Sequence, residues 1–288
     1  MPLERFRRAK AEELRALCRN GIPPAFAGTR PSFGAALRRG AAGPAGLAVI
    51  AEYKRRSPSR GLICEQIEAE EAAVQYAAAG ASCLSVLTEE RFFGGSLAYI
   101  DRAASALARM TTEGDCGGAG DIPLLRKDFI FDPAQVAATA ATRASALLLI
   151  VRLTPDAALL RALREQAEAA GMEAVVEVFD EHDLTLARES GARIIQVNAR
   201  DLGTLCVDRD VCLRLARRHA PLAGEVWIAA SGMGAPEHLA AAREAGFTAA
   251  LVGSALMEAG RPGTALRALL AGTADLRTAS DREERPCF

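Results

Sequence analysis

The chain has 288 residues, of which 50% are hydrophobic and 25% charged, enough apolar material for one large domain or two small ones and too much for wholesale disorder. Its 35 Lys and Arg against 36 Asp and Glu leave a net charge of −1, which argues against a general nucleic-acid binder. No apolar run approaches the roughly 18–20 residues that span a bilayer, and residues 1–18 mix acids with bases around no apolar signal core, so a cytoplasmic protein with no membrane partner is expected.

In chain order, residues 3–18 read as an amphipathic helix, and 21–46, with Pro23, Pro24 and Pro31, as a loop followed by a short helix. This 1–46 extension is expected to form a lid or plug. Short apolar runs then alternate with alanine-rich helical segments. Leu47–Lys54 precedes a helix over 65–79, Cys83–Thr88 one over 97–110, Pro123–Lys127 one over 133–143, and Ala146–Val151 one over 155–170. Ala174–Val178 leads to 181–190, Arg193–Asn198 to 209–219, Glu225–Ser231 to 236–245, and Ala249–Gly253 to 263–270. Runs apolar on both faces indicate a parallel sheet covered by helices. Gly80, Gly191 and Gly246 each stand where a helix should stop before the next strand.

Eight such units over 47–272 predict an α/β fold of the (β/α)8 TIM-barrel type with extra N-terminal helices. A doubly wound open sheet shares the alternation, but no GxGxxG follows the first strand. The stretch 111–121 reads as a flexible loop on the face opposite the strand C-termini, and 273–288 as a flexible polar tail. The seven cysteines, Cys18, Cys64, Cys83, Cys116, Cys206, Cys212 and Cys287, form no CxxC pair, and His182, His219 and His238 have no ligand spacing. No metal site is expected, and acid–base chemistry falls to Lys, Glu or Asp.

Function in such a barrel concentrates at the C-terminal ends of the strands. Glu52 and Lys54 close the first, two apart and therefore on one face. Lys127 closes the third, Glu177 lies in the fifth, and Asn198 and Arg200 close the sixth. Each alone could be a solvated strand end or a structural partner. Jointly they place mixed charge inside apolar strands, where an unpaired charge costs several kcal/mol, and that pattern reads as a working site. Ser231-Gly232 after strand seven and Gly253-Ser254 after strand eight suit a phosphate, because glycine lets backbone amides approach an anion. A small phosphorylated substrate is expected, handled by a monomer or weak homo-oligomer.

The segments IAEYKRRSPSRG (50–61), LSVLTEERFFGGS (84–96), LLRKDFIFDPAQV (124–136), VVEVFDEHDL (175–184), QVNARDL (196–202), ASGMGAPEHL (230–239) and ALVGSALM (250–257) together resemble the indole-3-glycerol phosphate synthase family. The resemblance runs in order from about residue 30 to 271. It implies closure and decarboxylation of 1-(2-carboxyphenylamino)-1-deoxyribulose 5-phosphate to indole-3-glycerol phosphate, with no metal or organic cofactor. It further implies Lys127 as general acid, Glu177 as its acid/base partner, and Glu52 with Lys54 as a pair that positions charge and assists dehydration. Asn198, Ser57 and Arg200 would orient the substrate carboxylate or neighbouring groups, and Phe93 and Phe129 would wall the aromatic ring. Ser231, Gly232, Gly253 and Ser254 would hold the phosphate, helped by Lys54. Three positions depart from the family pattern: Ala230 replaces a usual Glu, Gln196 a usual glycine, and Tyr53 an aliphatic residue. The loss at Ala230 leaves two alternatives to a synthase of the ordinary substrate. One is a specialised paralogue in secondary metabolism acting on a substituted anthranilate-derived substrate, the other a noncatalytic phosphate-ligand-binding barrel.

Overall fold

Apolar runs five or six residues long, flanked by helix stops, fold as parallel strands because each is buried on both faces. A computed structural model describes residues 3–112, 121–201, 203–204, 206–258 and 260–283. The barrel strands are β1 Ala48–Tyr53, β2 Cys83–Leu87, β3 Leu124–Ile130, β4 Ala146–Ile150, β5 Glu173–Val178, β6 Ile194–Asn198, β7 Val226–Ala230 and β8 Ala249–Val252. All neighbours pair in parallel in sequence order, and β8 closes on β1 through Ala51↔Val252. This is the expected TIM barrel.

Two helices precede the barrel, α1 Glu4–Asn20 and α2 Phe33–Ala41. The repeat adds α3 Ala69–Ala78, α4 Ala98–Thr112, α5 Pro133–Ala140, α6 Ala157–Ala169, α7 Glu181–Glu189, α8 Arg209–Arg218, α9 Pro236–Glu244 and α10 Pro262–Glu283. Gly80, Gly191 and Gly246 follow their helices with φ of 93°, 86° and 93°, a left-handed turn that glycine makes without a Cβ penalty. Shorter pieces decorate the strand C-termini: an antiparallel hairpin of Arg56–Ser57 with Gly61–Leu62, and helical turns at Glu90–Phe93 and Ser254–Met257. Alternation divides the core. Residues such as Val49, Leu84, Leu147 and Trp227 pack outward against the helices, while Ile50, Leu125, Leu148, Val175 and Ile228 fill the barrel. Among the described residues no helix is long and apolar enough to cross a membrane.

The two helices of the 1–46 segment pack at opposite ends of the barrel. Helix α2 seals the N-terminal end: Phe33, Ala36 and Leu37 pack with Ala48, Cys83, Ile194 and Val226 at the strand starts. Its first turn is anchored by charge, since Gly34 N donates to Glu173 Oε2 over 3.2 Å while Ser32 Oγ caps Ala35 N. Helix α1 covers the opposite end. Its buried residues are Phe6 and Lys10, so the amphipathic face expected there is half aromatic and half ionic.

The ionic half meets a strand that extends past its expected end. The sequence reading stopped strand three at Lys127; β3 continues through Asp128 to Ile130. Residues 126 to 130 span only 147 to 149 of β4, an irregularity that bends the strand. Arg126 and Asp128 point outward yet are buried, and they partner each other at 2.9 Å. Lys10 pairs with Asp128 at 2.7 Å, Glu13 with Arg126 at 2.9 Å, and Thr88 donates to Asp128 at 2.6 Å. The cluster supports charge in a buried strand, which is why an acidic residue does not end it.

The expected flexible tail over 273–288 is replaced, as far as Glu283, by helix α10. Thr273 is buried, and Arg277 donates to the Gly43 carbonyl at 3.0 Å, so this stretch packs on the barrel instead of fraying. Residues 284–288, and 113–120 of the expected 111–121 loop, lie outside the described residues.

Burial pushes the Asp128 carboxyl up, but Arg126, Lys10 and the hydrogen bonds from Lys10 and Thr88 outweigh it and hold the group at about 2. A native value below the ordinary one near 3.8 stabilises the fold at neutral pH and ceases to do so as pH falls through the native value. Asp128→Asn should therefore cost about 3–5 kcal/mol at pH 7, because it leaves the buried Arg126 and Lys10 with only Glu13 as countercharge. In denaturant titrations the gap from wild type should narrow as pH drops from about 4 towards 2; a gap independent of pH would show that charge is not the cause.

Candidate active site

Closure of the barrel turns every inward side chain near the strand C-termini toward one axis. The result is a cavity of about 480 Å³ at that mouth. All thirteen residues singled out from the sequence line it: Glu52, Lys54, Ser57, Phe93, Lys127, Phe129, Glu177, Asn198, Arg200, Ser231, Gly232, Gly253 and Ser254.

Two opposite-charge pairs face each other. On β1, Lys54 Nζ meets Glu52 Oε1 at 2.9 Å, and Ser85 Oγ donates to the other carboxylate oxygen at 3.3 Å. Burial raises the Glu52 pKa most, yet Lys54, Lys127 and the two hydrogen bonds together bring it below the ordinary value, so the group is ionised at neutral pH. Across the cavity, Lys127 Nζ stands 3.6 Å from Glu177 Oε2, beyond hydrogen-bond reach but within ion-pair range. Glu177 is almost wholly enclosed, whereas the Lys127 side chain keeps 18% of its surface open to the cavity. Gln196 on β6 donates through Nε2 to Glu177 Oε2.

The far wall is polar and strained. Asn198 Oδ1 accepts from Ser231 Oγ at 2.8 Å and from Arg200 N at 3.0 Å. Ser231 has φ of 72°, the one non-glycine residue in the left-handed region among those described, where backbone strain is tolerated when its surroundings hold it. Next to it, Ala230 contributes only a methyl in register with Asn198. Gly253 leaves room for the pair: a Cβ there would fall 2.5 Å from Glu52 Oε1 and 3.1 Å from Lys54 Nζ, so both side chains would have to shift. The hairpin after β1 leans over the opening, with Arg200 donating to Ser59 Oγ at 3.2 Å and Arg60 paired with Glu258. Ser57 Oγ is enclosed at the hairpin base and accepts from Arg60 N at 3.3 Å.

The opposite wall is aromatic. Phe93 and Phe129 lie 6.2 Å apart, and Phe6 of α1 stacks on Phe129 at 4.1 Å. Phe6 escaped the sequence reading, although a lone aromatic on a charged helix was a signal. Other ionisable lining residues were missed too, Glu89, Arg209 and His238 among them. Glu89 caps the turn at Glu90–Phe93, accepting from Arg91, Phe92 and Phe93 N–H, and burial, with Asp128 nearby, holds its pKa above the ordinary value. Arg209 and His238 flank the Ser231-Gly232 turn, and burial followed by Arg209 lowers the His238 pKa, leaving it neutral at pH 7. Glu89 was readable as an acid opening a short turn; the other two sit at ordinary helix starts and carried no signal.

A family model described as indole-3-glycerol phosphate synthase matches residues 10–269. The chain is 43% identical over 263 residues to "Indole-3-glycerol phosphate synthase 2" of Streptomyces coelicolor, covering 91% of this chain and 90% of that one. It is 36% identical over 269 residues to the indole-3-glycerol phosphate synthase of Desulfotalea psychrophila, covering 93% and 97%. Among solved structures, 3-hexulose-6-phosphate synthase superposes with a TM-score of 0.57 at 15% identity, over 78% of this chain and 99% of that one, a likeness of fold alone.

Gly253→Ala is expected to part the Glu52–Lys54 pair. A crystal structure of the variant should show Nζ and Oε1 separated by more than about 4 Å. An undisturbed pair would mean that the glycine is incidental.

Proposed function

The chain belongs to the indole-3-glycerol phosphate synthase family, and from that premise we propose the parts its mouth residues play. The protein is a carboxy-lyase acting on a small phosphorylated substrate. It closes 1-(2-carboxyphenylamino)-1-deoxyribulose 5-phosphate to indole-3-glycerol phosphate with loss of CO2 and water.

The chemistry sets the demands. Ring closure joins the carboxyl-bearing aryl carbon to the ribulose carbonyl carbon, and the carbonyl oxygen must gain a proton as that bond forms. Departure of CO2 returns its bonding electrons to the ring. Dehydration then removes a proton and expels the new hydroxyl as water. Lys127 is the proton donor for ring closure: it is cationic, partly open to the cavity and not locked in a contact ion pair. Glu177 is the acid/base partner beside it. Glu52, kept ionised by Lys54, supplies negative charge across the cavity and assists dehydration.

Binding falls to the two walls. Ser231, Gly232, Gly253 and Ser254, with Lys54, receive the phosphate at the turns after β7 and β8. Ser57, Asn198 and Arg200 orient the carboxylate end and the neighbouring groups. Phe93 and Phe129, roofed by Phe6, flank the aromatic ring and exclude water, which strengthens each charge interaction inside.

The observation that carries this reading is the Lys127–Glu177 pair at 3.6 Å inside the mouth cavity, facing Glu52 and Lys54. Purified full-length chain mixed with the carboxyphenylamino substrate should generate indole fluorescence, and none above a no-enzyme control would overturn the reading. Lys127→Ala should lower kcat by about 10²–10⁴-fold, the usual worth of a general acid. Near-wild-type turnover in that variant would remove its assigned role.

A second reading draws on Ala230. A methyl there leaves the cavity one carboxylate short beside Asn198, which suits a pocket retuned for a substituted anthranilate ring. That reading expects a higher kcat/KM for a ring-substituted substrate than for the parent compound; equal or lower values would eliminate it.

A further inference from the structure

Strand register places Glu177 between Ile150 of β4 and Gln196 of β6. Alternation sends the Gln196 side chain into the barrel one layer below Asn198, where it is fully buried. Its Nε2 donates to Glu177 Oε2, the same oxygen that faces Lys127 at 3.6 Å. Only the nitrogen end of an amide can meet a carboxylate attractively, so this orientation is chemically dictated. It leaves Gln196 Oε1 buried with no protein partner among the described residues. An unpaired buried amide oxygen is a cost that an apolar side chain of the same length would avoid, so packing alone does not account for glutamine here.

We propose that Gln196 is a positioning residue for the reaction, acting through Glu177. The role rests on the assignment of Lys127 and Glu177 made above. Lys127 is a cation only until it gives its proton to the substrate oxygen; as a neutral amine it no longer attracts the carboxylate. The Gln196 amide donates equally before and after that transfer. Glu177 therefore keeps one hydrogen bond through that transfer and remains aimed into the cavity. The other groups around this pair do not compete for the function. Glu52 and Lys54 face Lys127 from β1, and Cys212 of α8 lies behind the strands with its thiol pushed by burial up to about 12, hence neutral.

The test is Gln196→Met in the full chain, which keeps side-chain length and removes both the donor and the orphaned oxygen. We expect kcat to fall about tenfold with KM held within about twofold, the mark of an interaction used in the chemical step. The acidic limb of the kcat–pH profile should move up by about one pH unit, since the carboxylate loses a hydrogen bond to its charged form. Gln196→Glu should move it further, because two adjoining carboxylates resist joint ionisation; its profile decides the matter if the methionine variant does not fold. An unchanged kcat and limb, or a loss confined to KM or Tm, would overturn the role. Absence of turnover in the wild type would remove the catalytic assignment and this role with it, whereas an active wild type with an unaffected Q196M variant would remove this role alone.

Discussion

Three consecutive ionisable residues, Arg126, Lys127 and Asp128, sit in the middle of a strand that is otherwise apolar and covered on both sides. Arg126 and Asp128 are closed off from water and Lys127 is only partly open, so each finds countercharge within the protein. The two-residue period of the strand separates their fates. Lys127 turns inward to Glu177, while Arg126 and Asp128 turn outward and recruit Lys10 and Glu13 from α1. One short stretch thus organises both the reactive mouth and the helix that roofs it.

The same need for compensation shapes the rest of the mouth. Charge there comes in mutually supporting pairs, Glu52 with Lys54 at the end of β1 and Lys127 of β3 with Glu177 of β5, so no member can be altered without changing the environment of another. Glu52 shows this directly: burial alone would favour its protonated form, and the nearby ammonium groups reverse that preference. The other walls of the cavity are simpler, aromatic rings on one side and tight glycine turns on the other. Ser231, in a backbone conformation seldom used by residues with a Cβ, links the polar wall to the turn beside it.

Much of this was legible in the amino-acid order because parallel strands and amphipathic helices write their periods into local sequence. The eight runs, the glycine stops and the charged strand ends led to the barrel and to residues that line the cavity at its mouth. What was not legible depends on contacts between distant segments. Asp128 looked like a strand terminator, and only Lys10 and Arg126 make it acceptable inside one. The polar residues after 272 suggested a loose tail, yet Thr273 and Arg277 find partners on the barrel. Gln196 stood out as an unusual residue, but its neighbour Glu177 is set by inter-strand register, which no single segment encodes.

Phe6 and Lys10 leave the ribosome more than a hundred positions before the β3 residues that receive them. At typical elongation speeds of about 5–20 residues per second, α1 waits several seconds with no surface to dock on. Capping of the mouth is thus a late event in biogenesis, and a nascent chain halted before Arg126 is a barrel fragment without a roof.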